Sequence, residues 1–253
     1  MLENKKLVLI FFLSIMLLAL SCSKKAFSPE EKTSINCLLS EVSRSGDLET
    51  FVYNERGEVT VFKNQHHMFL YTYNVSTIEV STKNYTQIYQ LDANKRIVKM
   101  TDGSNFIRSF IYNIQGNLIE DRDDRFSRNG DLVVTHSTKY IWSNENMIRR
   151  ETSVTYPNTP TYTSPFVSTF EYGSDLRPSN FMDEDSNIAI DRALLKFFGK
   201  QSKNLLSSMI YDAVNPMSGP NFTYKYAYDF NGNVEKVYTN NSVNPVIYKY
   251  SCK

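Results

Sequence analysis

Three histidines, three cysteines and two acidic runs are the groups in this chain that could do chemistry. His66 and His67 are adjacent. Neighbouring residues of a strand point to opposite faces, so the two imidazoles cannot share a metal there. His136 stands apart from both, and all three read as solvated side chains. The runs Glu120-Asp121-Arg122-Asp123-Asp124 and Asp183-Glu184-Asp185 offer oxygen ligands to a cation such as Ca²⁺. Neither has the D-x-D-x-D-G spacing with a distal Glu that defines a calcium loop, so both read as solvated loops. No Gly-x-Ser-x-Gly elbow occurs, and Cys37 has no histidine beside it to raise its nucleophilicity. These patterns argue against an enzyme, and they point to no metal and no cofactor.

Cys22 belongs to a different pattern. Lys5 and Lys6 precede an apolar stretch from Leu7 to Leu20, and Ala19-Leu20-Ser21 places small residues just before Cys22. That order is a signal peptide over residues 1–21, and its apolar stretch falls short of the roughly 20 residues that span a bilayer. Ala19-Leu20-Ser21-Cys22 resembles the lipobox of bacterial lipoproteins, with Ala19 where that family prefers Leu. The resemblance implies that the Cys22 thiol carries diacylglycerol and that the freed amine is acylated, giving a stable membrane anchor. Ser23 after the cysteine implies the outer membrane. Ser23-Lys24-Lys25-Ala26-Phe27 lacks an acidic run, which favours the periplasmic face over the cell surface. Residues 22–34 read as a lipidated tether and residues 35–253 as one domain.

The formal charge is +1, from 28 Lys and Arg against 27 Asp and Glu. Removing Glu3, Lys5 and Lys6 with the leader brings it to zero. Nucleic acid is therefore an improbable partner, because neutralising phosphates supplies most of that affinity and no basic cluster is present. Beyond Cys22 the remaining cysteines are Cys37 and Cys252. A bridge between them requires the first and last strands to be neighbours. Two small buried thiols are the favoured reading.

The 17 tyrosines and 16 phenylalanines reveal the elements. Aromatic residues recur two apart at Phe51/Tyr53, Tyr71/Tyr73, Phe110/Tyr112, Tyr140/Trp142, Phe170/Tyr172, Tyr226/Tyr228 and Tyr248/Tyr250. A spacing of two puts both rings on one face of a strand, and interleaved polar residues make the other face wet. Most of these rings read as core.

Several doublets lead into one turn. Tyr53-Asn54-Glu55-Arg56-Gly57-Glu58-Val59, Tyr112-Asn113-Ile114-Gln115-Gly116-Asn117-Leu118 and Tyr228-Asp229-Phe230-Asn231-Gly232-Asn233-Val234 share it. Asn54, Asn113 or Asp229 caps the turn through backbone N–H groups, and Gly57, Gly116 or Gly232 takes the left-handed conformation that closes a hairpin. Trp142-Ser143-Asn144-Glu145-Asn146 is a weaker copy, and the stretch from Tyr89 to Ile97 reads as a lengthened one. The unit closing on Gly232 resembles the YD repeat of the RHS family, whose repeats build curled β-sheets. The order of motifs from Asn36 to Tyr250 resembles a bacterial outer-membrane lipoprotein domain family of unknown function with a porin-like β fold. The motifs are Cys37-Leu38-Leu39-Ser40-Glu41-Val42, the run from Leu195 to Leu205 and the final hairpin. That resemblance implies no catalytic residues.

Ile188, Asp191, Leu194/Leu195 and Phe198 recur at helical intervals between a Ser186-Asn187 cap and Gly199. They predict one short helix near 187–198 packed on the sheet. Pro157, Pro160 and Pro165 predict a long loop from Tyr156 to Phe166. The expected fold is all-β: an antiparallel meander of hairpin repeats forming a curved sheet or partly closed barrel. The expected function is a lipid-anchored, non-catalytic cell-envelope protein, a binding or scaffold module for a protein or glycan partner. The alternative is a carrier of a lipid or small hydrophobic ligand in a barrel-like cavity. A membrane-spanning channel is disfavoured, because Lys225, Asp229, Lys139 and Arg108 interrupt the strands.

Overall fold

Side chains that alternate in polarity along short, turn-bounded segments build sixteen strands in a computed structural model of the chain. The structure describes residues 37–103, 105–157, 166–178, 181, 192–212 and 220–252. The leader, Cys22, the tether and the acidic run 183–185 lie outside the described residues. The strands are β1 (Cys37–Arg44), β2 (Asp47–Tyr53), β3 (Val59–Lys63), β4 (Met68–Tyr73), β5 (Thr77–Ser81) and β6 (Thr86–Leu91). Next come β7 (Ile97–Thr101), β8 (Phe106–Tyr112), β9 (Leu118–Phe126), β10 (Leu132–Ser143) and β11 (Asn146–Thr155). The last are β12 (Phe166–Leu176), β13 (Asn204–Tyr211), β14 (Phe222–Tyr228), β15 (Val234–Thr239) and β16 (Val246–Cys252). Each pairs antiparallel with its neighbours in sequence.

The sheet closes completely, which corrects the expected curved or partly closed form. β1 pairs with β16 from Cys37↔Cys252 to Ser43↔Ile247, making one closed barrel. Closure removes both exposed edges, which would otherwise invite pairing with other chains. Cys37 and Cys252 face each other in that seam and form a disulfide, so the favoured reading of two free thiols does not hold. Every described strand and both bridged cysteines lie within 37–252, so a chain beginning at Ser23 contains the described barrel.

Inside, the even-numbered strands repeat one arrangement. Phe51, Tyr71, Tyr89, Phe110, Tyr140, Phe170, Tyr224 and Tyr248 form a layer in which each residue is at most 7% exposed. One step nearer the turns lie Tyr53, Tyr73, Leu91, Tyr112, Trp142, Tyr172, Tyr226 and Tyr250. The inward doublet of β14 is thus Tyr224/Tyr226, one step earlier than the sequence spacing suggested. In seven strands the second ring donates to a carbonyl of the preceding odd strand. Tyr53 reaches Leu39, Tyr73 reaches Val59, Tyr112 reaches Ile97, and Trp142 reaches Leu118 at 2.6–2.8 Å. Tyr172, Tyr226 and Tyr250 reach Met147, Leu206 and Val234 at 2.7–3.0 Å. Register shifts near these positions break the regular ladder, and the rings give the buried carbonyls a donor.

The turns that follow the even-numbered strands leave at one end, called here the hairpin rim. Asn54 Oδ1 accepts from Arg56 N and Glu58 N, and Asp229 Oδ1 accepts from Asn231 N and Asn233 N. Asn113 Oδ1 accepts from Asn117 N in the same way. Gly57, Gly116 and Gly232 have φ of 69°, 88° and 83°. The stretch read as lengthened has the same geometry, with Asp92 accepting from Asn94 N and Arg96 N and Lys95 at φ 62° in the glycine position. After Trp142 the reversal is tighter, through Asn144 and Glu145 at φ 50° and 64°.

Candidate functional site

A barrel of about sixteen strands is wider than its own side chains can fill. At the hairpin rim the β12–β13 connection supplies further atoms. The predicted helix near 187–198 is, among the described residues, a 3-10 segment, Arg192–Phe197. Eclipsed side chains at every third residue limit such segments to short runs. Leu194 and Phe198 are fully buried. The Phe198 ring meets Phe110 edge-on at 5.1 Å, Phe197 stacks on Tyr73 at 5.8 Å, and Phe181 packs against Tyr248 at 5.1 Å. Backbone bonds fix the stretch further, from Lys200 N to Gly116 O at 3.0 Å and from Lys203 N to Glu145 O at 3.1 Å. Ser202 Oγ accepts from Met147 N and shares a hydrogen bond with the Tyr172 hydroxyl. Gly199, at φ 79°, lies against the Gly116 carbonyl with no room for a Cβ.

Between this strap and the first strands is a cavity of about 380 Å³. Its apolar lining includes Leu38, Ala193, Leu195 and Phe181. Arg177, Lys196 and Lys203 also line it, and among the described residues no carboxylate does. Lys196 Nζ lies 3.5 Å from Gly57 O. Desolvation at the mouth lowers the Lys196 ammonium, while the nearby Glu58 charge opposes that. Lys203 pairs with Glu145 at 2.7 Å, a contact that holds the Glu145 carboxyl below its ordinary value. Arg177 donates to Phe181 O at 3.1 Å.

The other sequence candidates are placed elsewhere. Cys37 and Cys252 form a bridge at the barrel seam, and the six turn residues, Asn54 to Gly232, shape the hairpin rim. His66 and His67 are exposed in the β3–β4 turn, each donating a backbone N–H to Asn64 Oδ1. His136 lies on β10. The acidic run 120–124 is no loop but part of β9. Alternation turns Asp121 inward, where it is 2% exposed. Arg108 Nη2 approaches it at 2.7 Å and the Tyr140 hydroxyl donates at 2.5 Å. Burial pushes the Asp121 carboxyl up, with Arg108 and Tyr140 pulling it back. Among the described residues no group of three His, Cys, Asp or Glu could hold a metal ion. Sequence reasoning missed the cations lining the mouth. The only signal was the Lys196-Phe197-Phe198-Gly199-Lys200-Gln201-Ser202-Lys203 run, whose basic residues interrupt an apolar stretch.

The outer wall carries charge where a spanning barrel would meet lipid. Arg122, Lys139, Arg149 and Lys225 are exposed on it, while the lumen near the hairpin rim is aromatic. That is the reverse of the usual order in membrane barrels. The same architecture occurs in two solved structures. A porin-like protein from Bacteroides uniformis is 16% identical with a TM-score of 0.57, covering 85% of this chain and 96% of its own. One from Bacteroides vulgatus is 12% identical with a TM-score of 0.59, covering 85% and 98%. The fold is shared with these porin-like proteins. No family model and no curated protein matches the chain.

Proposed function

We infer that the protein is a non-catalytic binding module of the cell envelope that carries a small apolar ligand bearing an anionic group. The cavity at the strapped mouth carries this reading, because its apolar lining is joined by the cations Arg177, Lys196 and Lys203, with no carboxylate among the described lining residues. Its volume falls in the range of about 300–1,000 Å³ typical of small-molecule sites. An acyl chain would lie against Leu38, Leu195 and Phe181, with its carboxylate or phosphate toward Lys196 and Arg177. Glycan stacking on the aromatic doublets is disfavoured, since the eight inner rings are buried. Lipid on Cys22 would hold the module to the outer membrane, on its periplasmic face. The charged outer wall supports tethering over spanning.

Native mass spectrometry of the chain from Ser23 to Lys253 tests the reading, with decanoate and decanol as probes. Decanoate should be retained, decanol should bind more weakly, and Leu38→Trp should reduce both by filling the cavity. Equal retention by the parent and Leu38→Trp, or no retention of decanoate, would reject it.

A further inference from the structure

The cap-x-x-Gly turn fixes its first and last positions but leaves the residue after the cap free. That residue is the tip of the hairpin, and nothing in the turn requires it to be apolar: in the first turn it is Glu55. Yet Ile114 and Phe230 occupy that position at 96% and 89% exposure, and Val75, after Asn74 in the shorter β4–β5 turn that has no glycine, is 84% exposed. A single exposed apolar side chain is ordinary, but three on one rim are a pattern. They stand on the β4–β5, β8–β9 and β14–β15 turns, separated around the ring, so they define a plane across the hairpin rim. Among the described residues of the opposite rim, Val243 is comparably exposed. The covalent path from Cys22 also enters at this rim, through Cys37. Residues 23–36 are a reach of at most about 50 Å even when extended.

We propose that the hairpin rim docks on a lipid bilayer surface, with Val75, Ile114 and Phe230 entering the headgroup region. Charge is a secondary contributor. The described rim carries Arg56, Lys95, Arg96, Arg177, Lys196, Lys200 and Lys203 against Glu55, Glu58, Asp92, Glu145, Asp175 and Asp229. These nearly balance, and several are already paired, as Arg96 is with Asp92 and Lys203 with Glu145. Insertion of apolar tips is therefore the driving force, as for other interfacial anchors. Docking places the mouth cavity against the membrane, but the proposal stands on the tips and does not depend on what the cavity holds.

Flotation of the unlipidated chain from Ser23 to Lys253 with vesicles tests it. One set is phosphatidylcholine alone and the other includes phosphatidylglycerol. The parent should float with both, with modest gain from the anionic lipid. Val75→Ser/Ile114→Ser/Phe230→Ser should lower partitioning on the order of tenfold or more, since each buried tip contributes strongly. Val243→Ser should match the parent. Near-ultraviolet circular dichroism checks that the triple variant keeps its packing, and Phe230→Ser alone repeats the test with one exposed change. The proposal is overturned if the parent floats with neither vesicle, if the triple variant floats like the parent, or if Val243→Ser falls equally.

Discussion

The two ends of the barrel are built on different principles. At the hairpin rim the even strands repeat a buried ring and a second inward residue, and in seven strands that second residue bonds a neighbour's carbonyl. The strap then seats against this repeated surface. Toward the far end the inner wall stops repeating: Glu49, Phe69, Gln87, Arg108, Thr138, Ser168, Phe222 and Val246 occupy the next inward positions of the eight even strands. Between β8 and β9 a largely buried ion pair, Arg108 with Asp121, stands beside that apolar packing. A repeat that satisfies its own backbone can close a wide barrel without any one residue being unique. The rim it closes is then rigid enough to hold a less regular segment and the cavity beneath it.

The largest expected effect lies in the non-repeating part. Asp121→Ala leaves the Arg108 guanidinium buried without its carboxylate, and should cost about 3–5 kcal/mol in urea unfolding followed by Trp142 fluorescence. Replacing both by apolar residues, Arg108→Met/Asp121→Leu, should cost less than the single change. If it costs more, the pair is more than a local charge contact. Breaking the seam comes next: Cys37→Ser/Cys252→Ser should lower stability by about 2–4 kcal/mol in the same assay.

Within the repeat the effects are smaller, because six other ring-to-carbonyl bonds remain. Tyr112→Phe removes the donor to Ile97 O and should cost about 1–3 kcal/mol. A comparable loss in Tyr73→Phe would show that the copies are equivalent. Glycine substitutions separate the turns from the strap. Gly232→Ala meets open space and only backbone strain, about 1 kcal/mol. Gly199→Ala must displace the Gly116 carbonyl and the Tyr112 ring, whose nearest atom is 2.9 Å from the added carbon. Its larger loss of melting temperature should be accompanied by loss of probe binding at the mouth. The smallest effect is electrostatic. The Glu145 carboxyl is lowered by Lys203, so the link is complete above the ordinary carboxylate range and is lost as pH falls through the lowered value. Carboxyl chemical shifts titrated in parent and Lys203→Gln should differ in that direction.

How far the sequence could be read follows from the range of each signal. The doublets are local, and period two on Tyr and Phe identifies strands without reference to any partner. The turn motif is equally local, since Asn54 and Gly57 act within one hairpin. Closure is not local: it depends on β1 meeting β16, and the sequence separation of 215 between Cys37 and Cys252 carries no short-range sign of it. The strap misleads because Leu194, Leu195 and Phe198 at three- and four-residue spacing fit an α-helix, yet form a short 3-10 segment shaped by its seat. Asp121 was hidden by its neighbours. Only the register of β9 distinguishes it from Glu120 and Arg122, which face outward. The cavity was the least legible, because its lining comes from β1, β2, β3 and the strap.

Hydrogen exchange with and without decanoate tests the central claim most directly, that the strapped mouth is the binding end. The account predicts slower exchange at Leu195–Lys203 and at the start of β1, with the 127–131 turn at the far end unchanged. Protection confined to the far end, or no protection anywhere at saturating probe, would contradict it.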